Sequence, residues 1–209
     1  MHSPNLPPQN HSNRLLIATH NPGKLSEFGQ LLGDVPYELI TLKNLSISKE
    51  VDEYGTSFIK NAEIKSTVYA QMSGFLTLSE DSGLEVDALG GRPGIKSHQY
   101  GGLNTSDEEK NSGILKQLID VPIADRTARF RSAICIASPN ESIATVEETI
   151  EGFIMFSPKG TNGFGYDPIF LVPEFGKSLA EISSDLKNKI SHRGKAAMKA
   201  GKILRGINA

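Results

Sequence analysis

Leu15-Leu16-Ile17-Ala18-Thr19-His20-Asn21-Pro22-Gly23-Lys24 is a short apolar run that breaks into a polar turn. The run reads as a buried strand. Asn21 has the side chain of a helix cap, and Pro22 suits the first helical position. Leu25, Phe28, Leu31 and Leu32 then recur at helical spacing. The chain therefore opens as strand, polar turn, helix. Residues 37–42 read as a second strand. Phe58, Ala62, Val68, Tyr69 and Met72 suit an amphipathic helix from Ser57, closed by Gly74. Residues 75–79 alternate as a strand, with Glu80-Asp81-Ser82-Gly83 expected at its end. A glycine-rich loop spans 88–94, and Ser106 opens another helix. Residues 127–137 and 143–150 read as paired strands around Ser138-Pro139-Asn140, with 152–156 extending the second. A second glycine loop, 159–167, precedes a strand at 169–172. Helices follow at 180–189 and 193–204, with Ser191 as cap of the last. This mixed order predicts an α/β protein with a central mixed sheet.

The chain has 209 residues and a formal charge of -2. A domain of that size buries roughly 70% of its unfolded surface, so its core needs no disulfide or structural metal. Apolar residues are 38% and charged residues 22%, too apolar for a disordered chain. No run approaches the roughly 18 apolar residues of a membrane span. The near-neutral balance argues against a nucleic-acid coat or a basic membrane-surface protein. The one cysteine, Cys135, lies in an apolar run and has no partner for an internal disulfide. That usage points to a reducing, cytoplasmic setting. Residues 1–13 carry neither a cationic start nor an apolar segment, and their three prolines suggest a flexible tail ahead of a domain spanning 14–209.

Charge is unevenly distributed. Residues 187–209 hold seven cations and no carboxylate, which leaves fifteen cations against twenty-four carboxylates before them. Most of those lysines read as a solvated face. Lys187 and Arg193 stand apart because they lie beside polar motifs.

Three polar clusters can carry chemistry. Thr19-His20-Asn21-Pro22-Gly23-Lys24 offers helix N-terminal N–H groups and a cation to a phosphate, or is an ordinary cap with a surface lysine. Glu80 and Asp81 can hold Mg²⁺ or activate water, or form an Asx-type turn before Gly83. Strand alternation would send their side chains to opposite faces, so one of them would reach a crevice. Asp52-Glu53 adds a carboxylate before the second helix, or is a solvated N-terminal turn of the kind that acids favour. In Gly160-Thr161-Asn162-Gly163-Phe164-Gly165-Tyr166-Asp167, Phe164 can stack on a base and Asp167 can accept a base N–H. The same stretch also reads as a glycine hairpin with a core aromatic. Gly176-Lys177-Ser178 is no P-loop, because Leu171 stands where its first glycine is needed.

Taken in order, four stretches resemble the inosine triphosphate pyrophosphatase family. They are Ala18-Thr19-His20-Asn21-Pro22-Gly23-Lys24; Glu80-Asp81-Ser82-Gly83 running on to Gly90-Gly91-Arg92-Pro93-Gly94; Gly163-Phe164-Gly165-Tyr166-Asp167-Pro168-Ile169-Phe170; and Lys187-Asn188 with Ser191-His192-Arg193. The resemblance implies an elongated mixed sheet with flanking helices, forming two lobes around a central cleft, and a homodimer. It implies hydrolysis of ITP, dITP and XTP to the monophosphate and pyrophosphate, with no nucleic-acid or membrane partner. It makes Asp81 the catalytic base and, with Glu53 and Glu80, a ligand of Mg²⁺. It assigns the nucleotide to Thr19, His20, Asn21, Pro22, Gly23 and Lys24, assisted by Ser82 and Lys187. Phe164, Gly165, Tyr166, Asp167, His192 and Arg193 would receive the base.

Two positions depart from the family pattern. Glu80 stands where Asp is common, which keeps the charge and adds a methylene. Lys60 precedes Asn61-Ala62 where Glu is common, which leaves Glu53 or Asp52 to serve the metal. Two other readings compete: a pyrophosphatase for other modified nucleotides, and a nucleotide-binding protein without catalysis.

Overall fold

The computed structural model describes residues 13–102 and 104–207. Residues 1–12 of the expected tail lie outside them. The elements run β1 (Arg14–Ile17), α1 (Pro22–Leu31), β2 (Glu38–Thr41), α2 (Phe58–Ser73), β3 (Leu76–Val86), β4 (Arg92–Pro93), α3 (Asp107–Gln117), β5 (Thr127–Ala137), β6 (Ser142–Ile154), β7 (Phe170–Val172), β8 (Lys177–Ser178), α4 (Ser184–Ile190) and α5 (His192–Ile207). Among the described residues no helix is long and apolar enough to cross a membrane.

One open mixed sheet carries the fold, in the order β2-β1-β3-β5-β6-β7-β8, with β4 beside β3. β1 pairs in parallel with β2 and with β3. The remaining pairs are antiparallel. Local signals set the helix ends. Asn21 accepts the Lys24 N–H at 3.1 Å, Ser57 accepts that of Lys60, and Gly74 closes α2 at φ 77°. Ser106 and Glu109 form a reciprocal capping box on α3.

The second half of β5, from Ala133 on, is apolar on both faces because both are covered. Ala133 and Cys135 pack on Phe58 and Ala62 of α2. Ile134 and Ile136 pack instead with Phe28 of α1 and Ala196, Ala197, Ala200 and Leu204 of α5. Farther along the same strand pair, Leu84, Val86, Ala128 and Phe130 join a second core with Ile169, Phe170 and Leu179. Thus β3 and β5 are long strands that thread two cores.

Two expectations need correcting. Glu80-Asp81-Ser82-Gly83 does not follow β3; it lies inside it, paired with Ile134, Ala133, Ser132 and Arg131. An unbroken antiparallel ladder satisfies that backbone, so polar side chains do not end the strand. The helix expected over 180–189 divides into a 3₁₀ turn, Leu179–Glu181, and α4, because Ser183 starts a new helix by accepting the Leu186 N–H. The short edge strand β8 was not expected.

Arg126 closes the far end of the second core. It is 2% exposed, and it donates to the carbonyls of Val121, Met155 and Leu118. Arg126→Leu leaves those carbonyls without their donors. It is expected to lower stability in urea unfolding by about 2 kcal/mol, and an unchanged midpoint would show that water replaces the guanidinium at no cost.

Candidate active site

The β1–α1 turn, the middle of β3 and the start of α5 surround a cleft of about 460 Å³. Thr19, His20, Asn21, Pro22 and Lys24 line it from the turn. Asp81 and Ser82 line it from β3, and Glu53 from the segment before α2. The opposite wall carries Phe164, Gly165, Tyr166 and Asp167, with Lys187 from α4 and His192 and Arg193 from α5. Two of the residues expected here, Gly23 and Glu80, are not among the cleft's lining residues. A Cβ at Gly23 would sit 2.6 Å from the Phe164 ring, so the glycine lets the β1–α1 turn and the Phe164 loop touch.

Strand alternation separates the two carboxylates of the β3 motif. Asp81 faces α2. Its Oδ2 accepts from Asn61 Nδ2 at 3.0 Å and its Oδ1 from the Ser82 N–H at 3.0 Å. Lys65 Nζ lies 3.7 Å from Asp81 Oδ1 and 2.7 Å from Glu53 Oε1, so one ammonium spans both carboxylates. Burial pushes the Asp81 pKa up, and Glu53 adds to the rise against the opposing pull of Lys65.

Glu80 faces the other way, toward α1 and α5, and its side chain has no exposure. Oε1 accepts from Ser132 Oγ at 2.7 Å and from Arg193 Nε at 3.0 Å. Oε2 meets Lys24 Nζ at 3.0 Å and Arg193 Nη2 at 3.2 Å. Burial alone would raise its pKa, but Arg193 and Lys24 outweigh burial and hold the carboxyl far below the ordinary range. Four donors use the lone pairs of both oxygens, so the expectation that Glu80 ligates a metal fails for want of an open position. Glu80 instead fixes two cations. Lys24 carries a lowered pKa, since burial outweighs its attraction to Glu80.

The opposite wall is a second buried network. Glu27, one turn after Lys24 on α1, pairs with Lys187 at 2.8 Å and with Arg193 Nη1 at 2.5 Å. Lys187 also pairs with Asp167 Oδ2, which accepts the Phe164 N–H at 2.9 Å as well. Burial raises the Asp167 pKa against the pull of Lys187. Lys187 Nζ and Arg193 Cζ lie 5.0 and 5.3 Å from the Phe164 ring centroid. His192 stacks on Phe130, with centroids 4.8 Å apart and an interplanar angle of 7°. Burial, reinforced by Arg193, pushes its pKa well below the ordinary value. Its Nδ1 is buried and has no hydrogen-bond partner among the described residues.

Sequence reading missed Asn61, Lys65 and Glu27 as site residues. Their signal was positional. Asn61 and Lys65 stand four apart on the α2 face that meets β3, and Glu27 stands three after Lys24.

Among the described residues, no group of three or more His, Cys, Asp or Glu side chains forms a metal cage. A hard divalent cation of the Mg²⁺ type commonly takes only one or two carboxylates, with substrate phosphates and water completing its shell. Asp81 and Glu53, already sharing one ammonium, fit that mode.

Comparison with known proteins agrees with the resemblance read from the motifs. The model of the Ham1 family matches residues 15–203. The chain is 42% identical over 189 residues to the dITP/XTP pyrophosphatase of Bacillus subtilis, covering 90% of this chain and 96% of that one. It is 45% identical over 183 residues to the dITP/XTP pyrophosphatase of Geobacter sulfurreducens, covering 88% and 92%. The structure superposes on a HAM1 protein from Coxiella burnetii with a TM-score of 0.84 at 35% identity, over 93% of this chain and 99% of that one. The Staphylococcus aureus Ham1 protein gives a TM-score of 0.83 at 37% identity, over 93% and 100%. The chain belongs to the Ham1 family.

Proposed function

We propose that this chain hydrolyses the non-canonical purine nucleoside triphosphates ITP, dITP and XTP to the monophosphate and pyrophosphate. One observation carries the reading. A single cleft sets an activatable carboxylate and a helix N-terminus with its lysine against a wall of base-edge donors and acceptors. The water that attacks the anhydride between the α- and β-phosphates gives its proton to Asp81. Burial keeps the affinity of that carboxylate for a proton above the ordinary aspartate level. Asn61 and the Ser82 N–H hold its two oxygens in place. Mg²⁺, bound by Asp81 and Glu53, would neutralise charge on the phosphates. Thr19, Asn21, Lys24 and Ser82 hold the phosphate chain, with His20 beside them. Glu80 keeps Lys24 and Arg193 in position.

A 6-oxo purine presents O6 as acceptor and N1–H as donor, and adenine presents the reverse. Arg193 and Lys187 are donors for O6. Asp167 takes both of its protein bonds at Oδ2, and Oδ1 serves a base N–H. Adenine would leave these buried groups mispaired, which is worth orders of magnitude in selectivity. A cytoplasmic homodimer with one two-lobed domain over residues 14–209 completes the reading.

The test is product analysis over ITP, dITP, XTP, GTP and ATP, with and without Mg²⁺. Pyrophosphate from ITP and XTP only with the cation, and slow turnover of ATP and GTP, is expected. Orthophosphate alone, or equal rates on ATP, overturns the reading. The raised Asp81 pKa also fixes a sign. In the metal-free chain the Asp81 carboxyl should protonate at a higher pH than an ordinary aspartate, as read by carboxyl NMR. A carboxyl that titrates as an ordinary aspartate would remove the effect of burial from this account.

A further inference from the structure

Helix α3 grips the base-side loop at a single residue. Asp107, the first residue of α3, accepts the Gly165 N–H through Oδ2 at 2.7 Å. Asn111, one turn later, donates from Nδ2 to the Gly165 carbonyl at 3.1 Å. Both polar groups of one peptide residue are thus held by one helix face, across more than fifty residues of sequence. Gly165 sits at φ 65°, a conformation that its neighbours Phe164 and Tyr166 would adopt only with strain. Asn111 is 4% exposed, and its Oδ1 has no hydrogen-bond partner among the described residues. A buried amide that leaves its oxygen unpaired adds little to the helix, since such a group costs free energy. Its bond to Gly165 is what it supplies. On the far side of the loop, the Tyr166 hydroxyl donates to the Ser97 carbonyl at 2.8 Å.

We propose that Asp107 and Asn111 are positioning residues that fix the shape of the 163–167 loop, and that α3 thereby sets how sharply the site discriminates between purine bases. Asp107 lies at the edge of the cleft and Asn111 lies behind it, outside the lining residues. Gly165 is flanked by Phe164, the aromatic of the wall, and lies two residues before Asp167, its acceptor. Releasing Gly165 lets both drift. A drift of the base edge weakens recognition of a 6-oxo purine and lets adenine fit less badly. The phosphate side, on β1, α1 and β3, has no bond to this clamp among the described residues. The inference rests on the nucleotide reading given above.

The experiment compares kcat and KM for ITP and for ATP in the intact chain, in Asp107→Ala, Asp107→Asn and Asn111→Ala. Asp107→Ala should raise KM for ITP and lower the ITP-to-ATP ratio of kcat/KM by about tenfold, with kcat for ITP little changed. Asn111→Ala should do the same or more. Asp107→Asn keeps an acceptor for the Gly165 N–H and should restore the ratio. Asp107 is half exposed, so its variants fold whatever happens at Asn111. An Asp107→Ala protein with unchanged discrimination, or one whose rates on ITP and ATP fall together, overturns the clamp. An intact protein that turns over ITP and ATP equally overturns the nucleotide reading itself, and the clamp with it.

Discussion

Asp81→Asn is expected to lower kcat by about 10²–10⁴-fold while leaving nucleotide binding measurable without the metal. The amide has the shape of the carboxylate it replaces, so the substitution removes charge and basicity and little volume. Its oxygen can still accept one of the two bonds that Asp81 now receives, from Asn61 Nδ2 or from the Ser82 N–H. Lys65 loses a partner at 3.7 Å but keeps Glu53 at 2.7 Å, so its ammonium is not stranded. The phosphate-side turn and the base-side wall have no bond to Asp81 beyond that of Ser82 among the described residues. Binding should therefore survive. The stability change has a definite sign. A carboxyl whose folded pKa is raised opposes folding once ionised, and that opposition grows as pH rises through the unfolded and then the folded pKa. Asp81→Asn removes it, so the variant should unfold at the same or a slightly higher urea concentration at pH 7. Steady-state kinetics, titration calorimetry with ITP and urea unfolding check the three parts. A variant that turns over ITP within tenfold of the parent rate ends the assignment of Asp81 as base.

The parts of this molecule that sequence discloses are those whose causes are local. Asn21 before Pro22, Ser57 with Gly74, and Ser106 with Glu109 are bonds closed within a few residues, or at the two ends of one helix, and each element starts or stops where its cap stands. Strand alternation likewise implied that one carboxylate of Glu80 and Asp81 would reach a crevice. What pattern alone could not say was which one. Glu80 is assigned by Arg193, 113 residues away, and by Lys24, and no local signal couples those positions. The end of β3 was misread for a related reason. Polar residues normally punctuate strands, but here β5 supplies a partner for each of them, from Ile134 opposite Glu80 to Arg131 opposite Gly83. Nothing local in the sequence marks Lys65 or Glu27 as a site residue. They become site residues only because α2 and α1 turn those faces toward the cleft and its base-side wall. Motif order supplied what local physics lacked, since four stretches that meet at one cleft leave a family pattern even where no spacing rule explains them.

Removing Glu80 is expected to cost about 3–5 kcal/mol of stability at pH 7, the penalty of stranding buried charge. Its carboxylate is fully enclosed and receives Ser132, Arg193 twice and Lys24. In Glu80→Gln the side chain keeps its shape and one acceptor oxygen, but its NH₂ must face a guanidinium or an ammonium. Arg193 retains Glu27, and the Ser82 hydroxyl retains its bond from Arg193 Nη2 at 3.0 Å. Lys24 fares worse, because burial already favours its neutral form and Glu80 is the nearest carboxylate that opposes this. The variant should therefore hold the Lys24 proton less firmly than the parent and bind the triphosphate more weakly. The pH dependence separates this account from a packing defect. A glutamate whose folded pKa is depressed contributes stability that is fully present above its unfolded pKa and is lost as pH falls through and below that value. The stability gap between parent and Glu80→Gln should hold steady from neutral pH down to about pH 5, then close as both are acidified. A packing defect would leave the gap constant throughout. Urea unfolding of the two proteins at a series of pH values measures it, and parallel curves into acid would mean that the pairing of Glu80 with Arg193 and Lys24 carries no net free energy.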